Sequence, residues 1–268
     1  MFNLLQMDIR RLYHSRNFYI ILGVTAALIL ALVALVSTVT DQRVLDAMQS
    51  QGAEIDASEY EMRAEFEAMT QLEFAHECLG SGFLLLLGGI GVTLFVHSDF
   101  SSGYIKNICF ARPRRRDYVL CKILLAGVYS GVLVVLGVAV SLACPPLFGL
   151  HPAASSLWGI LQYAFWLWMP CWAFGLMGLA LTLLTRSSTL GIIMAVISGG
   201  GVTVAVLRTV CRQLGWPALE QYLLSSVAQF QCTPLPGRSE MVMILGCSLG
   251  WAAFYAAAGL AVMAKHDI

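Results

Sequence analysis

Long apolar runs divide the chain, and the polar segments between them are short. Six runs are free of Asp, Glu, Lys and Arg: 18–39, 79–96, 123–144, 157–184, 190–207 and 242–263. About 20 apolar residues in a helix cross about 30 Å of hydrocarbon, so each run is predicted to be a transmembrane helix. The first run is longer than the apolar core of a cleavable signal peptide, and no small-residue cleavage site follows it. Before it, residues 1–17 place Phe2, Leu5, Ile9, Leu12 and Tyr13 at helical spacing, with Asn3, Gln6, Arg10 and His14 on the other side. That pattern predicts an amphipathic helix lying in the membrane interface.

Composition agrees. Of the 268 residues, 58% are hydrophobic and 12% charged, and mean hydropathy is +0.75. Soluble domains carry about 25% charged residues. The expected fold class is therefore an all-α polytopic membrane protein, a single transmembrane domain embedded in a lipid bilayer. The net charge of +0 supplies no global field for nucleic acid, so no nucleic-acid partner is expected.

Charge distribution orients the helices. Eleven of the 16 basic residues fall on one side: Arg10, Arg11, Arg16, Lys106, Arg112, Arg114, Arg115, Arg116, Lys122, Arg186 and Lys265. Arg43, Arg63, Arg208, Arg212 and Arg238 fall on the other. The excess of Lys and Arg in cytoplasmic loops predicts cytoplasmic N- and C-termini in a plasma membrane. Twelve of the 16 acids lie outside. Ten of those are in residues 41–77, where Ser58 and Glu61 fit a capping box and a helical segment is expected. Glu59, Glu61, Glu65, Glu67 and Glu73 could form a vestibule for cationic substrates, or simply a solvated helix face.

Three further features bear on function. The stretch 97–122 joins the second and third spans, with Asp99 or Ser101 placed to cap a short helix through Lys106–Ile108, Pro113 as a breaker, and Arg114, Arg115 and Arg116 opening the next helix. It either docks a cytoplasmic partner or anchors topology on anionic headgroups. The fourth span carries Trp166, Trp168 and Pro170, read as a kink beside a pathway or protein surface, or as lipid-facing aromatics. Residues 208–240 are apolar enough to lie on or dip into the outer leaflet. Cys211 and Cys232 share that segment; they either pair in an oxidising compartment or remain buried thiols.

Catalytic motifs are missing from the sequence. It contains no G-x-x-x-x-G-K-[ST], no H-E-x-x-H and no G-x-S-x-G, and its histidines are scattered. No enzyme activity, resident cofactor or metal site is expected. The spans as drawn from hydropathy also lack the Asp, Glu or His that proton-coupled carriers place in the bundle interior.

Asp99, Gly103, Lys106, Asn107, Arg116 and Lys122, in D-F-S-S-G-Y-I-K-N and R-P-R-R-R-D-Y-V-L-C-K, carry a family resemblance, as does the N-terminal M-D-I-R-R-L-Y-H-S-R-N. The chain resembles the membrane-spanning permease of ABC-2-type ABC transporters, notably bacterial permeases of antibiotic-peptide export and immunity. The resemblance implies a connecting helix bearing Arg10, Arg11 and Arg16. It implies a coupling region containing Asp99, Gly103, Lys106, Asn107, Arg112, Arg114, Arg115 and Arg116. It further implies a pathway formed by two permease copies, as homodimer or heterodimer. Two P-loop ATPase subunits would carry ATP and Mg, and the location would be a bacterial inner membrane. The segment 208–240 resembles that fold's extracellular or re-entrant helices. The function so implied is export of an amphipathic peptide, lipid-like molecule or drug. The alternative is a non-transporting sensor or immunity protein that binds a cationic peptide through its acidic outer segment.

Overall fold

A computed structural model of the chain describes residues 2–39, 41, 50, 65, 66, 68–80, 82–105, 115–216, 222–224, 227 and 235–265. Among these, every long element is helical. In chain order they are α1 (Phe2–Tyr13), α2 (Arg16–Val39), α3 (Gln71–Leu79), α4 (Phe83–Ser101) and α5 (Arg115–Ala143). A short 3₁₀ turn (Pro145–Phe148) follows, then α6 (Leu157–Thr185), α7 (Ser188–Gly199), α8 (Val202–Gln213) and α9 (Arg238–Lys265). Five helices, α2, α4, α5, α6 and α9, are each long and apolar enough to cross a membrane, and α7 with α8 makes a sixth if that bent pair is one span.

The pair α7–α8 departs from the unbroken span expected over 190–207. Its two halves are bent by 66°. The break falls at Gly199-Gly200-Gly201, where Gly201 takes φ +79°, a left-handed conformation that side chains disfavour. Ser198 and Thr203 bridge the corner, Oγ to Oγ1 at 3.0 Å. At 12 residues, α7 reaches only about 18 Å, short of the hydrocarbon thickness.

Burial ranks the helices. α6 packs against α4, α5, α7 and α9. Of its most apolar window 72% is buried, against 22% in α2 and 17% in α9, so α6 is the axis of the bundle and the other two are its rim. The core joins Leu84, Leu85 and Val92 of α4, Leu125, Tyr129 and Leu133 of α5, and Tyr163, Phe174 and Leu179 of α6. The Gly127 and Gly131 positions of α5, which have the spacing for close helix approach, receive indoles. An added Cβ would lie 3.3 Å from Trp172 Nε1 at Gly127 and 3.4 Å from Trp168 Nε1 at Gly131. The corresponding pair in α9, Gly246 and Gly250, is exposed with nothing within 4 Å of either position.

Helix ends differ most from the hydropathy reading. α4 begins at Phe83, after a left-handed Gly82, and continues beyond Val96 through His97, Ser98 and Asp99 to Ser101. α5 begins eight residues before the apolar run, at Arg115, and carries Lys122 inside the helix. Hydropathy stops a span at its first polar residues, whereas a helix continues wherever those residues find partners.

Candidate functional site

Asp99 and Lys122 find each other. Asp99 lies on the last turns of α4 and Lys122 on the third turn of α5; both side chains are fully buried. Lys122 Nζ stands 2.7 Å from Asp99 Oδ2 and 2.9 Å from Asp8 Oδ2 of α1. Neither contact has hydrogen-bond geometry, so both act as close ion pairs. Arg11, one turn along α1 from Asp8, donates to Asp99 Oδ1 at 2.8 Å and stands 3.7 Å from Asp8 Oδ1. Two carboxylates and two cations thus alternate, and their charges cancel.

Phenols and aromatic rings complete the cluster. Tyr118 donates to Asp99 Oδ2 at 2.8 Å, and Tyr104 to Asp8 Oδ1 at 3.3 Å. The Arg11 guanidinium lies 3.8 Å from the Tyr104 ring centre, and Lys122 Nζ lies 4.6 Å from that of Phe95, within cation–π range. Burial works against the Arg11 charge, but the Asp99 carboxylate outweighs it, and the guanidinium is held more firmly protonated than usual. Burial, followed by the nearby Asp8 charge, pushes the Tyr104 phenol up to about 12, so it stays a neutral donor. Lys122 and Tyr129 also line a cavity of about 10 Å³ with Val92, Phe95 and Leu125, room for about one water molecule.

The local sequence explains how α1 delivers its charges. Leu4, Asp8 and Leu12 recur at i, i+4 and i+8, and all are buried. An acid therefore occupies the centre of an apolar stripe, and Arg11 flanks it one turn on. Asp8 sits between Leu5 and Leu12 of the stripe read from sequence, but in isolation its pattern gave no sign of a partner. Its cation lies more than a hundred residues away.

Asp99 is inside the buried cluster on α4, not at the cap of a following helix. Gly103 lies just past α4 with φ +69°. Lys106, Asn107, Arg112 and Arg114 fall outside the described residues, as does the short helix expected at Lys106–Ile108. Arg115 opens α5, and Arg116 is exposed. Arg10 and Arg16 are exposed, whereas Arg11 is half-buried. The structure thus brings Arg11 and Asp99 together and leaves Arg10, Arg16 and Arg116 facing outward.

In α6 the helix continues through Pro170, which is buried. Trp166 packs against Val227 and Ile244. Trp168 donates its indole N–H to the Gly127 carbonyl at 2.9 Å, and Trp172 does so to Ile123 at 3.1 Å. The two rings stack with centroids 5.9 Å apart, so Trp168 belongs to a helix seam.

Glu59, Glu61 and Glu67 lie outside the described residues, with the capping box at Ser58 and Glu61. Glu65 and Glu73 are exposed. A capping box does occur at Thr70 and Glu73, a T-x-x-E signal readable in the sequence. Cys211 is buried, and Cys232 lies outside the described residues. Among the described residues no group of three or more His, Cys, Asp or Glu side chains is placed to hold a metal ion.

No protein-family model matches this chain, and no curated protein matches it in sequence. The class that fold and composition define is a multi-pass helical membrane protein.

Proposed function

We propose that the chain is the permease subunit of an ATP-driven ABC-2-type exporter, paired with a second permease copy and driven by a separate P-loop ATPase. The observation that carries this reading is the clamp at one end of the bundle. α1 is tied by Asp8 and Arg11 to Asp99 and Lys122, the residues that bracket the basic segment 106–114 on α4 and α5. A force applied to that segment by a cytoplasmic partner would reach three helices together. The loop residues that resemble the family's coupling region and the multi-pass helical architecture support the same reading. The substrate class that suits it is amphipathic: a peptide, a lipid-like molecule or a drug.

The test is affinity purification of the tagged chain in mild detergent from its native host. A stoichiometric P-loop ATPase, lost when Arg114, Arg115 and Arg116 are changed to Ala while the chain still inserts, is the expected result. Recovery of the chain without an ATPase would overturn the permease reading. It would direct attention to peptide binding by the acidic segment 41–77.

A further inference from the structure

We propose that Asp8, Arg11, Asp99 and Lys122 form a charge-balanced lock that holds α1 in a single register on the ends of α4 and α5, so that the three move as one body. The lock itself follows from the geometry; its consequence for transport rests on the permease reading.

The apolar hold on α1 comes from Leu4 and Leu12, deeply buried, and from Ile9, half-buried against the core. The charges specify its register more sharply. Rotating α1 by one residue, about 100°, would carry Asp8 off Lys122 and leave the buried ammonium with Asp99 alone. It would also take Arg11 off Asp99. An unpaired charge in a low-dielectric site is strongly penalised, whereas the complete set is tolerated because every charge has an opposite neighbour.

Lys122 is the shared element. Its Nζ touches both carboxylates, one from α1 and one from α4, while its own backbone belongs to α5. Three segments therefore meet at one nitrogen. Tyr118 and Tyr104 fix the two carboxylates from the side, one each. An arrangement that only neutralised Asp99 would need one cation; the second pair, supplied entirely by α1, is what ties the N-terminal helix in.

The variant that separates lock from scaffold is Asp8→Asn with Arg11→Gln. It removes one charge of each sign from α1 and leaves the Asp99–Lys122 pair and its Tyr118 hydrogen bond untouched. Nitroxide labels go on Gln6, exposed on α1, and Leu161, exposed on α6, through an unnatural amino acid so that the native cysteines stay. Distances are measured by pulsed electron resonance on the full chain in lipid nanodiscs.

The native chain should give one narrow distribution. The double variant should stay monodisperse, with a distribution at least twice as wide. Asp99→Asn with Lys122→Met, balanced in the same way from the other side, should widen it as well. A distribution in the folded double variant as narrow as the native one would overturn the lock, because Leu4 and Leu12 would then suffice. Failure of the α1 variant to fold would overturn it too, since the charges would then be scaffold for the whole bundle. Neither outcome depends on recovery of an ATPase, so the lock and the permease reading can fail separately.

Discussion

The two ends of the bundle are fastened by opposite means. At the end that carries α1, four charges on three helices, three fully buried and Arg11 half-buried, meet within 2.7–3.7 Å. At the other end, α3 buries Leu72, Phe74, Ala75, Cys78 and Leu79 in the core, and its polar links there are neutral hydrogen bonds. Gln71 donates its backbone N–H to Ala153 at 2.8 Å, Leu72 donates to Ser155 Oγ at 3.0 Å, and the His76 ring meets the Tyr163 hydroxyl at 3.4 Å. Buried charges are cooperative: complete, they are tolerated, and with one removed, its partner is stranded. Neutral hydrogen bonds are independent of one another, and losing one strands no charge. The α1 end should therefore fail all at once, and the α3 end by degrees.

Lys122→Met gives the largest expected effect. It leaves the Asp8 and Asp99 carboxylates facing each other with only Arg11 between them. Breaking a buried pair from one side costs about 3–5 kcal/mol. The melting temperature in detergent should fall steeply, and adding Asp99→Asn to the same chain should recover most of the loss. Equal melting of Lys122→Met and the native chain would place the ammonium in contact with water and remove the contrast between the two ends.

Between the ends, helix contact is set by shape. Gly91 of α4 faces the Tyr129 side chain of α5 so closely that the tyrosine hydroxyl and ring occupy the space a Cβ would need. Gly91→Ala must displace a residue that is 3% exposed, and overpacking of this kind costs about 1–3 kcal/mol. Tyr129→Leu should relieve it. A double-mutant cycle on melting should show the two changes coupled by about 1 kcal/mol or more. Strict additivity would mean that Tyr129 swings away freely and that the Gly91 contact does not set the approach of α4 and α5.

How much of this was legible beforehand depends on the range of the interaction. The apolar runs are local, and α2, α6 and α9 lie where they predict. The bend between α7 and α8 falls on three consecutive glycines, a local signal that marks a point of backbone freedom but not its angle. The cluster is not local. Hydropathy alone puts Asp99 in a loop, because His97, Ser98 and Asp99 end the apolar run, and counts Lys122 with the loop charges. Only the meeting of α1, α4 and α5 shows that these polar residues extend helices instead of ending them. The Trp168 and Trp172 indoles are equally opaque, because their hydrogen bonds to Gly127 and Ile123 join residues 41 and 49 positions apart. By contrast, the Thr70–Glu73 cap is a four-residue signal.

That cap supplies the smallest effect and the only one expected to depend on mild acidity. Thr70 Oγ1 accepts from the Glu73 backbone N–H at 3.3 Å, and the Glu73 carboxylate accepts from the Thr70 backbone N–H at 2.7 Å. The Thr70 backbone and side-chain hydrogen bonds, in that order, hold the Glu73 carboxyl below its ordinary value. A carboxylate whose pKa is depressed in the folded state stabilises that state above its unfolded pKa. The contribution fades as pH falls through the folded value. Glu73→Gln keeps an oxygen acceptor but loses the charge and its favourable place at the start of α3. Amide exchange at the start of α3 should therefore be faster in Glu73→Gln than in the native chain at neutral pH. The difference should close as the solution is acidified below the ordinary glutamate range, while amides around Asp99 and Lys122 show no difference between the two chains at any pH. A gap at α3 that persisted undiminished into acid would mean that the substitution acts there independently of the carboxylate charge. A gap spreading to the α1 end would mean that the two ends are mechanically joined and do not fail independently.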